Sequence, residues 1–186
     1  RGASYAIPLL GEHQLHNAAT VLEAISVLRK QGWDIDDEAV ESGLYSVAWP
    51  ARFEVLHTDD PWFVLDGGHN PQCAAALREC LEHYFPDSKR VALVGVLKDK
   101  DYKSIAAMLA PLFDACVCVT PPSERALPAE ELAELFKDSC REVCVAGTVE
   151  DGVDLARDIA QEQDAMVCAF GSLYICGQIR SCFGLR

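Results

Sequence analysis

The chain has 186 residues, of which 50% are hydrophobic and 24% are charged, a balance typical of a globular protein with one or two domains. Its formal net charge of −13, with no basic run to offset it, argues against a nucleic-acid or anionic-membrane partner. The longest apolar runs, such as 91–97, are far shorter than the roughly 20 residues that a membrane-spanning helix needs.

Nine cysteines are spread along the chain, most of them within predicted strands or helices. None has the C-x-x-C spacing of a zinc or redox site. We therefore expect the cysteines to be small buried hydrophobic residues in a reducing cytoplasm, and not to form disulfides or a metal site. The chain begins at Arg1 without an initiator methionine or a signal-peptide core, as a piece excised from a longer protein would.

Residues 1–48 are predicted to be helical. Apolar residues recur at helical spacing over 15–28, and Gly32 ends this first helix. Asp36 caps a second, short helix that ends near Gly43. Two helices cannot bury their own apolar faces, so this region is expected to be the tail of a preceding domain.

Residues 49–186 are predicted to form a complete Rossmann-like α/β domain. Its first two strands, 53–57 and 62–65, are joined by the turn-rich link 58–61 and suggest a hairpin. Helices and continuous apolar strands then alternate, which predicts a mostly parallel sheet with helices on both faces. The predicted strands are 91–97, 115–119, 142–146 and 165–170, and the predicted helices are 71–84, 102–112, 129–137, 149–163 and one from about Leu173.

The most informative segment is 62–71, where a buried strand ends at Asp66, two glycines follow, and Asn70-Pro71 opens a helix. Ligands of open α/β sheets bind at the carboxyl ends of strands, so Asp66, His69 and Asn70 form the predicted site. The helix N-terminus favours an anion there. A tight connection in which backbone amides satisfy Asp66 fits the same pattern, although it does not require the titratable His69.

Two other segments add polar residues. Gly11–Ala19 places several of them at the start of the first helix, and Trp49–Glu54 places Arg52 at the predicted joint between domains, where ligand clefts often occur. His13 and His16 are one helical turn apart. No third metal ligand has suitable spacing, so we interpret them as polar helix-start residues.

Together these segments resemble the folylpolyglutamate synthase/dihydrofolate synthase family, a branch of the Mur-ligase superfamily. The family's ordered motifs G-x-H-Q-x-x-N-A, W-P-G-R-x-E, D-G-A-H-N-P, G-x-x-x-D-K-D and T-G-S-L-Y are matched by Gly11–Ala18, Trp49–Glu54, Asp66–Pro71, Gly95–Asp101 and Phe170–Tyr174. Two positions depart from the family pattern. Ala51 stands where glycine is usual, which matters only if that position needs a positive φ, and Gly68 stands where alanine is usual.

The resemblance implies an ATP-dependent ligase. Such an enzyme forms an acyl phosphate on a folate or pteroate carboxyl group, and the amino group of L-glutamate then displaces the phosphate. By position, Asn17 would approach the adenine of ATP, Arg52 its phosphates and Asp66 its ribose hydroxyls.

The resemblance also implies a glutamate side of the site. His69 would lie toward the incoming glutamate and the reacting phosphate, so His69 and Arg52 are the expected catalytic residues. Asn70 and Ser172 would help to hold the glutamate. Two further positions each have two interpretations. Lys98–Asp101 is either a helix-capping charge run or part of the nucleotide cleft. Arg125 either faces the cleft or lies on a surface loop.

No G-x-x-x-x-G-K-[ST] loop is present. The phosphate cradle and the ligands of Mg²⁺ are therefore expected in a P-loop domain that precedes Arg1, and the chain alone is expected to be inactive. The alternative is a stand-alone, non-catalytic Rossmann-like module that binds a nucleotide. A third possibility, a Mur-type ligase with another acceptor, is disfavoured by the motifs W-P-x-R and D-G-x-H-N-P.

Overall fold

The computed structural model describes residues 4–57, 59 and 61–185. The chain divides into two compact units between Pro50 and Ala51. The assignment of 1–48 to the tail of an upstream ATPase domain, and of 49–186 to a ligase domain, stays a prediction. Among the described residues, no helix is long and apolar enough to cross a membrane.

The first unit contains helices α1 (Glu12–Lys30) and α2 (Asp37–Ser46). The Asp36 side chain caps α2 by accepting the Ala39 N–H at 2.6 Å, as predicted. Helix α2 continues three residues beyond Gly43, since a glycine inside a helix weakens it but does not end it. Large apolar side chains such as Leu15 and Tyr45 stay exposed, as expected for two helices without a core of their own.

The second unit alternates strands and helices as the sequence predicts. Its strands are β1 (Glu54–His57), β2 (Phe63–Asp66), β3 (Lys89–Val94), β4 (Ala115–Cys118), β5 (Glu142–Val145) and β6 (Ala165–Phe170). Its helices are α3 (Pro71–Tyr84), α4 (Tyr102–Leu109), α5 (Ala129–Glu134), α6 (Val149–Gln163) and α7 (Leu173–Cys182), with a 3₁₀ turn at Ala110–Leu112. The predicted bounds of α3, α6 and β6 are reproduced residue by residue.

Within the described residues the sheet has the strand order β1-β2-β6-β3-β4-β5. Strand β1 is antiparallel to β2, which confirms the hairpin, while all other neighbours are parallel. Thr58 and Asp60 of the predicted turn lie outside the described residues. The fold class is thus the predicted one. The sequence pattern did not predict the strand order, in which the last strand, β6, lies between β2 and β3.

Helices cover both faces of the sheet. On one face, alternate strand residues pack against α6 and α7. Helices α3 and α4 contact each other and bury Leu77, Leu81 and Ile105, which lie outside that cluster, so they cover the opposite face. The first cluster includes Phe63, Leu65, Val91, Leu93, Val117, Val167 and Ala169 of the strands, with Val153, Ala156, Ile159, Ile175 and Ile179 of the helices.

Helices α4 and α5 and strand β3 each end three residues earlier than predicted, and strands β4 and β5 each end one residue earlier. Helix α4 ends at Leu109, because Pro111 lacks an N–H and the chain tightens into the 3₁₀ turn. Strand β3 ends at Val94. Beyond it the Gly95 N–H donates to Phe170 O at 3.3 Å, and Leu97 forms only an isolated antiparallel bridge with Ala126.

The parallel register aligns the carboxyl ends of the strands in one row. Asp66 pairs with Phe170, which pairs on its other side with Val94, and the row continues through Cys118 to Val145. The loops that follow β2, β6 and β3 are therefore neighbours at one edge of the sheet. These loops carry the motifs at 66–71, 170–174 and 95–101.

All nine cysteines are free thiols. Six of them are buried, Cys73 and Cys144 are partly buried, and Cys182 is exposed. In the part of the chain that the structure describes, no three His, Cys, Asp or Glu residues are grouped so that they could hold a metal ion.

Candidate functional site

Asp66 ends strand β2 and is buried, with 6% of its surface exposed. Its Oδ2 accepts the backbone N–H of Phe53 at 2.9 Å, and its Oδ1 accepts that of Gly68 at 2.7 Å. Backbone amides thus hold both oxygens, as the tight-connection interpretation of the sequence predicts. A carboxylate oxygen has two acceptor positions, so each oxygen keeps one for a ligand.

Arg52 lies between two residues with positive φ. Ala51 has a φ of 56° and Phe53 a φ of 43°, in the left-handed region that residues other than glycine rarely adopt. Arg52 itself is half-buried, and its guanidinium has no hydrogen-bond or ion-pair partner within residues 4–57, 59 and 61–185. The departure from glycine at position 51 therefore falls where the backbone is strained.

The backbone of Ala51 is fixed on both sides. Its N–H donates to Glu54 Oε2 at 2.8 Å, and its carbonyl accepts the Gly67 N–H at 2.8 Å. The other carboxylate oxygen of Glu54 pairs with the Arg180 guanidinium of α7. Two carboxylates, Asp66 and Glu54, thus hold the residues on either side of Arg52.

The glycine pair after Asp66 packs tightly. A Cβ at Gly67 would lie 2.3 Å from Leu173 Cδ2. A Cβ at Gly68 would lie 2.7 Å from both Asp66 Oδ1 and Cys73 Cβ. Both distances are shorter than real contacts of a Cβ. An alanine at position 68, which is usual in the resembled motif, would therefore require neighbouring atoms to shift.

His69 and Asn70 follow at the start of α3. His69 is partly buried, and its Nδ1 lies 3.4 Å from Gly67 O. The Asn70 side chain caps α3, since its Oδ1 accepts the Cys73 N–H at 2.8 Å. Its amide nitrogen has no partner among the described residues and is left as a donor.

Ser172 follows the end of β6 and caps α7. It is buried, and its hydroxyl accepts the Tyr174 N–H at 3.2 Å. The preceding Gly171 has a φ of 110° and could not carry a side chain, since a Cβ there would lie 2.7 Å from Gly95 O. Ser172 is thereby fixed on the loop next to the one that carries Asp66 and His69.

Arg125 links the loop after β3 to the first turn of α7 at this edge of the sheet. Its Nη1 lies 2.8 Å from Asp99 Oδ2, its Nη2 donates to Tyr174 Oη at 3.2 Å, and its Cζ lies 5.9 Å from the Tyr174 ring centre. Asp101 caps α4 by accepting the Ser104 N–H at 3.2 Å. Asp101 of the charge run at 98–101 is therefore a cap, and Asp99 of the same run pairs with Arg125, a contact that the sequence did not predict.

Thiols near the two carboxylates stay protonated. Burial, with smaller contributions from the negative charges of Asp66 and Glu54, raises the pKa of Cys176 to about 12. Burial, with a smaller contribution from Asp66, raises the pKa of Cys80 to about 11. Because the thiolate is the reactive form, neither cysteine is suited to act as a nucleophile.

The structure brings most of the predicted site residues onto adjoining backbone segments: Arg52, Asp66, His69 and Asn70 around the end of β2, and Ser172 at the end of β6. Asn17 belongs to the first unit. There it is exposed on α1 and donates from Nδ2 to Oε1 of the buried Gln14 at 2.9 Å. The residues that sequence reasoning missed are Glu54 and Arg180, and the signal for the first was its place in W-P-A-R-F-E.

The family model described as "Mur ligase, glutamate ligase domain" matches residues 51–173 of the chain. The probable bifunctional folylpolyglutamate synthase/dihydropteroate synthase of Halobacterium salinarum is 37% identical over 176 residues, which cover 94% of this chain and 21% of that protein. The dihydrofolate synthase/folylpolyglutamate synthase of Mycobacterium tuberculosis is 35% identical over 196 residues, covering 96% and 40%. The chain thus spans between about a fifth and two fifths of the length of these relatives.

Solved structures agree with these relatives. The folylpolyglutamate synthase of Mycobacterium tuberculosis, complexed with ADP and AMPPCP, has a TM-score of 0.86 at 34% identity and covers all of this chain and 44% of that one. The bifunctional folylpolyglutamate synthase/dihydrofolate synthase of Yersinia pestis, complexed with AMPPNP and Mn ion, has a TM-score of 0.80 at 27% identity, covering 99% and 42%.

Proposed function

This chain belongs to the Mur ligase family through its glutamate ligase domain, and on that premise we propose that it is the C-terminal part of an ATP-dependent ligase. The complete enzyme adds L-glutamate to dihydropteroate or to a folate through an acyl phosphate. One observation carries the proposal: Arg52 is held between two strained residues beside the Asp66 strand end, and its guanidinium has no partner among the described residues.

On the nucleotide side, Arg52 contacts the phosphates of ATP. A guanidinium fixed before the reaction stabilises the charge of a transferring phosphoryl group without reorganising. Asp66 uses its remaining acceptor positions for the ribose hydroxyls, in charge-assisted hydrogen bonds. Asn17 contacts the adenine. The relatives that were solved with ADP and AMPPCP or with AMPPNP support nucleotide binding by the complete enzyme.

On the glutamate side, His69 lies toward the amine and the reacting phosphate. The free amide donor of Asn70 and the hydroxyl proton of Ser172 suit the carboxylates of an incoming glutamate. Ser172 is buried and at the amino end of α7, so a carboxylate there also meets the positive end of a helix dipole. Holding amine and acyl phosphate together supplies most of the rate gain.

Mg²⁺ is assigned to the preceding P-loop domain and to the phosphates of ATP. The described residues of this chain lack a group of three His, Cys, Asp or Glu side chains with the geometry of a metal site. The relative from Yersinia pestis was solved with Mn ion. When bound, the cation neutralises charge on the transferring phosphoryl group.

The test is an assay of the complete protein, with its P-loop domain. ADP release is measured with Mg-ATP, L-glutamate and either dihydropteroate or tetrahydrofolate, and the glutamylated product is identified by mass. We expect release that depends on both glutamate and the pterin substrate. No such dependence, together with micromolar ATP binding by the isolated chain in titration calorimetry, would support a non-catalytic nucleotide-binding module instead.

A further inference from the structure

The backbone around Arg52 is strained in a way that requires support. Ala51 and Phe53 both have left-handed φ values, which a residue with a Cβ adopts only at a cost. Such conformations persist when the surrounding structure holds them in place, and they concentrate at functional sites. The groups that hold these two residues therefore decide where the Arg52 guanidinium points.

Phe53 is held by groups already assigned to the site. Its N–H donates to Asp66, and its buried ring lies 5.7 Å from the ring of Tyr84 and 6.5 Å from that of Phe85, centre to centre. Ala51 is held differently. Its carbonyl accepts the Gly67 N–H, and its own N–H donates to the side chain of Glu54. Glu54 has no direct role in the proposed reaction.

The Glu54 carboxylate is itself fixed by Arg180. The two side chains are 23% and 13% exposed, whereas those of the surface pair Arg78–Glu82 are 50% and 47% exposed. An ion pair with this little contact with water is screened less than a surface pair and holds its geometry better. Arg180 is also on α7, the helix that begins directly after Ser172, so one rigid element supports both sides of the proposed site.

We propose that Glu54 and Arg180 are positioning residues for Arg52 in the ligase reaction, a proposal that rests on the proposed function. Arg180 orients the Glu54 carboxylate, the carboxylate keeps Ala51 in its left-handed conformation, and that conformation presents Arg52 to the transferring phosphoryl group. Neither residue contacts a substrate in this scheme. Their loss acts on kcat through the placement of Arg52.

The experiment uses the complete enzyme and compares Glu54→Ala, Glu54→Gln and Arg180→Gln. We expect Glu54→Ala to lower kcat by about tenfold or more, because a small misplacement of a catalytic group has effects of this size. Glu54→Gln keeps an oxygen that can accept from Ala51, so it retains more activity. The double variant Glu54→Ala/Arg180→Gln is within about twofold of Glu54→Ala, since residues that act as one unit are not additive.

A second-site variant separates positioning from a general loss of structure. Glycine adopts the left-handed conformation without support, so Ala51→Gly added to Glu54→Ala is expected to restore kcat to within about threefold of the unaltered enzyme. A structural or direct electrostatic role of Glu54 predicts no such rescue. The matched control is Glu82→Gln, which removes the exposed partner of Arg78 and leaves kcat unchanged.

An unchanged kcat in both Glu54 variants, or a loss in Glu54→Ala that Ala51→Gly does not reverse, overturns the positioning role. If Glu54→Ala does not fold, the comparison is made with Arg180→Gln, which releases the Glu54 carboxylate, and Ala51→Gly is expected to restore its kcat in the same way. If the unaltered enzyme shows no glutamate-dependent ADP release, the proposed function fails instead.

Discussion

The Asp66 carboxylate accepts the backbone N–H of Phe53, the residue after Arg52, at 2.9 Å. The same carboxylate accepts the Gly68 N–H at 2.7 Å. One buried side chain therefore connects the end of β2, the glycine turn and the loop that presents Arg52. Asp66, which we propose to bind the ribose of ATP, is thus also a structural support for Arg52, the proposed phosphate ligand.

Asp66→Asn is expected to destabilise the protein. Asparagine offers one acceptor oxygen where aspartate offers two, so one of the two amides loses its partner in a buried place. The free energy of unfolding should fall by about 1–3 kcal/mol, measured by urea unfolding. The control is Asp87→Asn on the exposed turn after α3, where a change of less than about 0.5 kcal/mol is expected. Equal stability of the two variants would contradict the support role.

The same variant tests the ribose contact. If Asp66 binds the ribose hydroxyls, the complete enzyme prefers ATP to 2′-deoxy-ATP, and Asp66→Asn reduces that preference. The measurement is kcat/KM for both nucleotides in both proteins. If Asp66→Asn lowers kcat/KM by the same factor for both nucleotides, the support of Arg52 is the sole role of Asp66.

Arg52→Ala is expected to lower kcat of the complete enzyme by about 10²–10³, the effect of removing one group that stabilises transition-state charge. Arg52→Lys keeps the charge but loses the planar fork, so an intermediate kcat is expected. Steady-state kinetics with varied ATP checks both. Arg78→Ala, on the exposed face of α3, is the control and should not alter kcat. Unchanged kinetics in Arg52→Ala would remove its phosphate role.

The elements of this chain, and the placement of 66–71 between a strand end and a helix start, were predictable because both depend on local sequence. Helices α3 and α6 follow from their caps, Asn70 and Thr148, and from apolar spacing between them and the next turn. The site at 66–71 follows from the general rule on strand ends. What depends on contacts between distant residues was not predictable.

The support of Arg52 illustrates this limit. Phe53 is 13 residues before its acceptor Asp66, and Glu54 is 126 residues before its partner Arg180. No periodicity connects residues so far apart. Only the glycine of the resembled motif pointed to the left-handed φ of Ala51, because alanine itself gives no signal for a positive φ.

Gly68→Ala is expected to destabilise the protein although the resembled motif has alanine there. The new Cβ would lie 2.7 Å from Asp66 Oδ1 and 2.7 Å from Cys73 Cβ, and overpacking of this kind has a typical effect of about 1–3 kcal/mol. Gly177→Ala is the matched control. It lies inside α7 with open space around the added Cβ, so it should stabilise by about 0.5–1 kcal/mol. Melting temperatures that shift in the same direction would contradict the packing argument.

The protein is expected to lose stability at alkaline pH because of its buried thiols. The pKa of Cys80 is raised from 9.0 to about 11 in the folded state, chiefly by burial. A pKa that is raised on folding stabilises the folded state below pH 9, and that contribution is lost as the pH rises from 9 to 11. Cys80→Ala should flatten the fall of unfolding free energy over this interval.

The control for Cys80→Ala is Leu77→Ala, on the same buried face of α3. It creates a cavity without removing a thiol, so it should lower stability at every pH and keep the slope of the unaltered protein. Urea unfolding at pH 7, 9, 10 and 11 measures the slopes. Identical slopes for Cys80→Ala and the unaltered protein would show that this thiol does not carry the pH dependence.

Ser172→Ala separates helix capping from glutamate binding. The hydroxyls of Ser172 and Thr148 cap α7 and α6 in the same way, by accepting the N–H of Tyr174 at 3.2 Å and of Asp151 at 3.0 Å. Loss of either cap is expected to cost about 1 kcal/mol of stability. Only Ser172 lies on the loop beside Asp66, so only Ser172→Ala should raise KM for glutamate in the complete enzyme. Thr148→Ala serves as the control, and equal values of KM for glutamate in the two variants would restrict Ser172 to its role as a cap.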